Sequence, residues 1–421
     1  MDKDIDLLTM LALKPELETK ENVEKVKIND AIIHNYFHEN RPALQGKPHV
    51  VMVGGGIISL MTAFYLEEMG FRISIIEQKS FGAAASGRNG GAVMMMGREL
   101  IELPFARHSI NLWEQLSTKG INTHFERKGH LMVARNDIEV ARLTKAYELY
   151  KAAGIPVTLL NNEEMKSYTP HIGKENKLGL FSYEDAQSYP FTTIQSLIKQ
   201  LKTKGLQFYP YTKATSFETN NRMIEGVITE NSVIKGDYYL ISAGPWSLEL
   251  GKLLDEHISV KARRSQLMVT EIVKKKAIVP FFTGNGFYSR QTHVGNLLFG
   301  GGGPWEINGY DVSNTSYAIE LLSNRFTEVF PTYKTKQLIR SFAGTVEITP
   351  DHVPAFGKLL NWDNGFVSAG YNGHGYGLSA VMGKLMSLVL YDNATDRQLC
   401  NDIKSVIDPL KIDRFTELTK V

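Results

Sequence analysis

The chain has 421 residues, 43% hydrophobic and 22% charged, and its 47 basic and 45 acidic side chains leave a formal charge of +2. That length suits two compact domains, or one domain interleaved with another, and the charge balance gives no electrostatic reason to expect nucleic acid or an anionic membrane as the main partner. One cysteine, Cys400, excludes an internal disulfide and a cysteine metal cluster.

Residues 1–46 are polar, charged and weakly patterned, and read as an extension ahead of the first domain. Their apolar stretch 7–13 is too short for a membrane span and lacks a basic flank for a signal peptide. It is expected to form a helix packed on its own domain, with docking on a membrane or partner as the alternative. No other stretch approaches 18 uninterrupted apolar residues, so a soluble, cytoplasmic protein without a transmembrane segment is expected.

At residue 49 the pattern changes. His49-Val50-Val51-Met52-Val53, bounded by Pro48 and three glycines, reads as a buried parallel strand. A helix over 57–69, stopped by Gly70, and a second strand over 73–76 complete one βαβ unit. Further on, 129–133 and 296–300 read as strands ending in turns, 190–205 as a helix, 239–244 as a buried strand, and 378–390 as a final helix. The β-rich texture of 128–185 and 259–338 suggests a separate domain inserted into the first.

Gly54-Gly55-Gly56-Ile57-Ile58-Ser59 fits the G-x-G-x-x-G pattern with Ser59 in place of the third glycine. Gly54 permits the tight turn, and Gly56 lets a pyrophosphate approach the backbone where Ile57 and Ile58 open the helix with unpaired N–H groups. Glu77 follows Gly54 by 23 positions, at the end of the next strand, and suits a ribose diol. NAD and FAD share this pattern. Two further segments favour the flavin nucleotide. The loop Ser86-Gly87-Arg88-Asn89-Gly90-Gly91 offers N–H groups, a hydroxyl and a guanidinium to a long diphosphate. Gly373-His374-Gly375-Tyr376-Gly377 precedes the last helix, so a positive helix end can lie against a flat ring. Such an end stabilises negative charge by up to ~2 kcal/mol, roughly 40 mV for a two-electron couple.

These segments, together with 242–247, 288–292 and 344–357, resemble the D-amino-acid oxidase superfamily over about residues 47–395. The S-G-R-N-G-G loop is more like the gamma-glutamylputrescine oxidase and L-amino-acid oxidase branches than glycine oxidase. The resemblance implies an α/β fold of glutathione-reductase type: a Rossmann-like FAD-binding domain (47–127, 186–258, 339–395) interleaved with a mixed β-sheet substrate domain (128–185, 259–338), then a tail (396–421). It implies non-covalent FAD, with Gln78, Ala214, Ala243, Gly244, Trp246, Gly344 and Leu378 joining the cofactor residues above, and no metal.

The activity it implies is transfer of a hydride from an amine-bearing carbon to flavin N5. The imine formed is hydrolysed to a 2-oxo acid and ammonia, and dioxygen or another acceptor takes the electrons. The leading expectation is an amino-acid oxidase, leaning to L-amino acids. The alternatives are a gamma-glutamylputrescine- or sarcosine-like amine oxidase, an electron-passing flavin subunit of a larger complex, or an NAD-dependent dehydrogenase. Homo-oligomerisation is open. The chemistry is the cofactor's, and no catalytic side chain is assigned. An amino-acid substrate needs its carboxylate held, for which a bidentate arginine is suited. Arg290 is the candidate, with Arg98, Arg107 and Arg263 as rivals, because the position where glycine oxidase carries its arginine is Val346 here. Phe342 and Tyr376 are expected to wall the substrate site. His293 and His352 read as exposed, and Cys400 lies too far along the chain for a covalent flavin link near Gly344.

Overall fold

The computed structural model describes residues 18–301, 306 and 309–415; the apolar stretch 7–13 lies outside them. A six-stranded sheet runs, edge to edge, Ala355–Lys358, Gly365–Ala369, Tyr238–Ile241, His49–Val53, Arg72–Ile76 and Gln207–Tyr209. Every neighbouring pair is parallel except the one made by Ala355–Lys358. The central strand His49–Val53 is apolar throughout its buried length because both of its faces are covered. Val50 and Met52 join one core, Val51 and Val53 the other.

The first of these cores is closed by the helices Ile57–Glu68, Leu103–Thr118 and Gly375–Ala394. A Cβ on Gly383 would stand 2.7 Å from Met61 Cβ, so this glycine sets the close approach of the first and last of them. The second core lies beneath a three-stranded antiparallel sheet of Ala214–Asn220, Met223–Thr229 and Val233–Ile234.

An eight-stranded mixed sheet forms the other half, in the order Leu338–Ile348, Lys261–Ile272, Asn296–Gly301, Phe287–Gln291, Phe281–Gly284, His130–Ala134, Leu178–Ser182, Val157–Leu160. Its own core stacks Phe282, Phe287, Phe299, Phe326 and Phe330 under the helix Ser316–Val329.

Three features differ from the sequence reading. Lys20–His38 is a 19-residue helix and no loose extension. Its four buried side chains, Val23, Val26, Ile33 and Tyr36, are a stripe too sparse to stand out among its charges. The Tyr36 hydroxyl donates to Asp392 (2.8 Å), and Arg41 Nε reaches the same carboxylate at 3.1 Å. Second, Leu338–Ile348, assigned from sequence to the nucleotide domain, pairs along Lys261–Ile272 in the eight-stranded sheet. Third, beyond 395 the chain forms the helix Asn401–Ile407, whose Ile403, Val406 and Ile407 enter the first core. No helix of the described residues is long and apolar enough to cross a membrane.

Candidate active site

Between the two large sheets lies a cavity of about 1270 Å³, larger than the roughly 300–1,000 Å³ of ordinary ligand pockets. One end is the turn after the first strand. Gly54 has φ +113°, and a Cβ there would stand 2.3 Å from the Ser242 carbonyl oxygen. A side chain is therefore excluded on two counts, strain and collision with backbone. Gly56 has φ −80°, an ordinary value, and a Cβ there would meet only Ser86 Oγ, at 3.1 Å. Its requirement for glycine is set by what the cavity must hold.

The helix that follows has no side-chain cap, although Ile57 N–H donates to Ser86 Oγ at 2.9 Å. Its first turn thus presents N–H groups to the cavity, an anion site of the kind that binds pyrophosphate. Glu77 is already braced: one carboxylate oxygen accepts from Gly55 N–H and the other from Lys79 N–H, both at 2.7 Å. Ser59, at the third-glycine position, is buried and hydrogen-bonded to Ser242, so it ties helix to strand behind the cavity wall.

The loop 86–91 is held by its own asparagine. Asn89 Nδ2 donates to the carbonyls of Ala85 (3.1 Å) and Ser86 (2.7 Å), and its Oδ1 accepts from Gly91 N–H at 2.8 Å. Arg88 reaches across to the Ala343 carbonyl at 2.8 Å, joining the loop to the eight-stranded sheet. The 20-residue helix Gly375–Ala394 also opens into the cavity, with His374 as an N-cap that makes no side-chain cap. Its start is fixed because Gly377 O accepts from Ser109 Oγ (2.6 Å) and Trp113 Nε1 (3.0 Å).

Of the residues singled out from sequence, Gly54, Gly56, Ile57, Ile58, Glu77, Gln78, Ser86, Arg88, Asn89, Gly90, Gly91, Ala214, Ala243, Gly244, Trp246, Gly344, Gly373, His374, Gly375, Tyr376 and Gly377 line this one cavity. Ser59, Gly87 and Leu378 stand behind it. A Cβ on Gly87 would lie 2.5 Å from the Gly82 carbonyl, so that glycine serves loop packing.

The substrate residues fare differently. Arg290 is buried one layer back: Nη1 donates to Ser188 O at 2.7 Å and the guanidinium lies over Tyr189. Ser188 N–H in turn donates to Gly91 O, so Arg290 supports the wall. Phe342 is half-buried in its strand, with the Arg340 guanidinium over its ring, and does not line the cavity. Tyr376 does line it, but its hydroxyl is engaged with Ser188 Oγ (2.8 Å) and Thr193 Oγ1 (3.1 Å). Of the rival arginines, Arg98 and Arg263 line the cavity, while Arg107 is spent on Asp30 and the Gly154 carbonyl. His352 is exposed at the cavity and His293 is exposed beside His124. Cys400 is exposed and outside the cavity.

Sequence did not show the contacts that several lining groups make, because strands and loops distant along the chain bring them together. His130 is fully buried, with Nε2 2.8 Å from Thr283 Oγ1 and Nδ1 3.5 Å from Asp185. Phe281 and Tyr288 stack at 5.7 Å. Burial raises the Glu347 carboxyl above its ordinary value, and the carboxyl accepts from Tyr371 N–H at 3.2 Å. His374 Nδ1 is 3.1 Å from the buried Glu102 carboxylate; burial, reinforced by the Arg98 charge, lowers its pKa.

A mostly parallel sheet with a glycine turn at a helix N-terminus, opening on a cavity shared with a second helix N-terminus, defines a dinucleotide-binding protein. The chain belongs to the DAO family, FAD dependent oxidoreductase, whose model matches residues 49–388. It is 26% identical to the hydrogen cyanide synthase subunit HcnC of Pseudomonas aeruginosa over 392 residues, covering 82% of this chain and 92% of that one. To glycine oxidase of the same organism it is 23% identical over 343 residues, 80% and 93% of the two chains. The fold matches the crystal structure of L-proline dehydrogenase from P. horikoshii with a TM-score of 0.80 and 23% identity, over 89% of this chain and 99% of that one. The protein is thus an FAD-dependent oxidoreductase.

The residues fit the cofactor. One cavity takes in both glycine stretches, the bare Gly56 stands at the start of an uncapped helix, and at Gly373 an added Cβ would meet nothing within 4 Å.

Proposed function

We propose that the protein oxidises the carbon–nitrogen bond of an amino acid, of L configuration, to an imine that water converts to a 2-oxo acid and ammonia. One observation carries the reading: the glycine turn at 54–58 and the glycine path at 373–377 line the same cavity. When bound, FAD supplies the two-electron acceptor, and dioxygen or another acceptor takes the electrons on. Family membership and the likeness to a glycine oxidase support an amino-acid substrate. The form of the loop 86–91 supports the L lean.

The protein's part is to bind, orient and exclude water. The helix Ile57–Glu68 would hold the diphosphate at its first turn, and Glu77 would take the ribose. The loop 86–91, Gly344 and residues 373–377 would border the ring. The stacked Phe281 and Tyr288, with Met94, add apolar wall on the side of the eight-stranded sheet.

An anaerobic panel of L- and D-amino acids, sarcosine and gamma-glutamylputrescine tests the reading. Bleaching of the flavin band by L-amino acids is the expected result, with peroxide on admission of air if dioxygen is the acceptor. Silence on every α-amino acid ends the proposal.

A further inference from the structure

Three polar side chains meet where the eight-stranded sheet walls the cavity. His130 Nε2 stands 2.8 Å from Thr283 Oγ1, and its Nδ1 stands 3.5 Å from Asp185 Oδ2 with no hydrogen-bond partner among the described residues. His130 and Asp185 are fully buried and Thr283 is 4% exposed. His130 and Thr283 line the cavity, as do Phe281, Tyr288 and Met94. The sheet sets this placement. His130 pairs with Phe281 on one side and Ser182 on the other, and Thr283 lies two residues beyond Phe281, on the same face of its strand. Asp185 is fixed in turn: its carboxylate accepts from the N–H groups of Met95 (2.8 Å) and Met96 (3.2 Å), and its carbonyl accepts from Gly129 N–H at 2.8 Å. The charged and titratable groups on this side of the imidazole are Asp185 and, beyond it, Arg98 and Tyr150, which both feel the Asp185 charge. Phe281 stands edge-on to the ring, and Ser182 offers only a hydroxyl. With its proton on Nδ1, the imidazole accepts from the Thr283 hydroxyl through Nε2, and an added proton would find its counter-charge in Asp185.

We propose that Thr283, His130 and Asp185 form a relay that accepts the proton an ammonium group must lose before its carbon can give up a hydride. The ammonium nitrogen passes a proton to Thr283 Oγ1 as that hydroxyl passes its own to His130 Nε2. The substrate becomes a neutral amine, the threonine is unchanged, and the new imidazolium faces the Asp185 carboxylate. No oxidant or further reactant enters this step. The relay rests on the amine-oxidising reading but is testable apart from it.

The test uses the FAD-loaded protein, with FAD content measured for every variant. 2-Aminoisobutyrate has no α-hydrogen to give up, and is titrated against the flavin absorption spectrum between about pH 7 and 9. In the wild type its proton stays on the protein, so its affinity should change little over this range. In His130→Gln the proton must leave for the solvent, and the affinity should rise by about tenfold per pH unit. Anaerobic flavin reduction by L-amino acids should slow by about 100- to 10,000-fold in the same variant at neutral pH, and the deficit should shrink as rising pH delivers neutral amine from solution. Thr283→Val should behave like His130→Gln, and Thr283→Ser, which restores the hydroxyl, like the wild type; this pair decides the matter should the histidine variant fold poorly. A pH-independent affinity in both His130→Gln and Thr283→Val, or a rate deficit equal at every pH, overturns the relay and leaves the oxidation standing. So does a wild type whose affinity already climbs about tenfold per pH unit. If no amine reduces the flavin yet the proton linkage of 2-aminoisobutyrate depends on His130, the relay stands and the amine oxidation falls. A wild type that 2-aminoisobutyrate leaves unperturbed and no amine reduces overturns both.

Discussion

At the scale of single residues, the two outer glycines of the turn separate folding from binding. Gly54 lies against the Ser242 backbone with positive φ, so Gly54→Ala should destabilise the protein by a few kcal/mol, read as a lowered urea midpoint. Gly56 has an ordinary φ and only a hydroxyl nearby. Gly56→Val should therefore fold with nearly normal stability and be purified colourless, having lost FAD. Equal destabilisation of both variants would contradict this division. Glu77→Gln keeps one acceptor oxygen but loses the charge, and should weaken FAD by roughly tenfold in a titration of apoprotein.

His374 gives a pH prediction whose sign follows from its environment. Burial first, then the Arg98 charge, hold its pKa below the ordinary value near 6.5 against the opposing pull of Glu102. The unfolded chain therefore binds the proton more readily than the folded one. The contribution to stability is whole above about pH 6.5 and is lost as the pH falls below it. Thermal unfolding between pH 5 and 8 should show a steeper acid-side decline for the wild type than for His374→Gln, and parallel curves would refute the assignment.

At the scale of elements, the helix Lys20–His38 shows that a polar segment can be a structural member. Ile33 is fully buried against the first core, and Ile33→Ala should cost about 2–5 kcal/mol by denaturant unfolding. A cost below 1 kcal/mol would mean that the helix is dispensable. Arg290 belongs to this scale too, since it braces Ser188, which contacts both Gly91 and Tyr376. Arg290→Lys is accordingly expected to lower Tm with little change in KM. A large rise in KM at constant Tm would restore it to the substrate site.

For the whole molecule, the cavity lies between two sheets, and the cofactor that fills it should link them. Free FAD at a hundred times its Kd adds ~2.7 kcal/mol to stability by mass action. The apoprotein should therefore gain several degrees in Tm on adding FAD, while Gly56→Val gains none. A wild-type Tm indifferent to FAD would show that the nucleotide is not held as proposed.

The sequence by itself determined the βαβ unit, its glycine turn, the acidic strand end and the glycine path before the last helix. Each is dictated by neighbours within a few residues, through backbone freedom and apolar runs. Only the tertiary structure decided which arginines meet the cavity, that Phe342 does not line it, and that Leu338–Ile348 joins the eight-stranded sheet. The physical reason is range. Arg98 and Arg290 are both arginines in ordinary local contexts, and what distinguishes them is a carbonyl from Ser188 for one and the bare flank of Gly377 for the other. These are contacts across 102 and 279 residues of chain, and no local pattern encodes them.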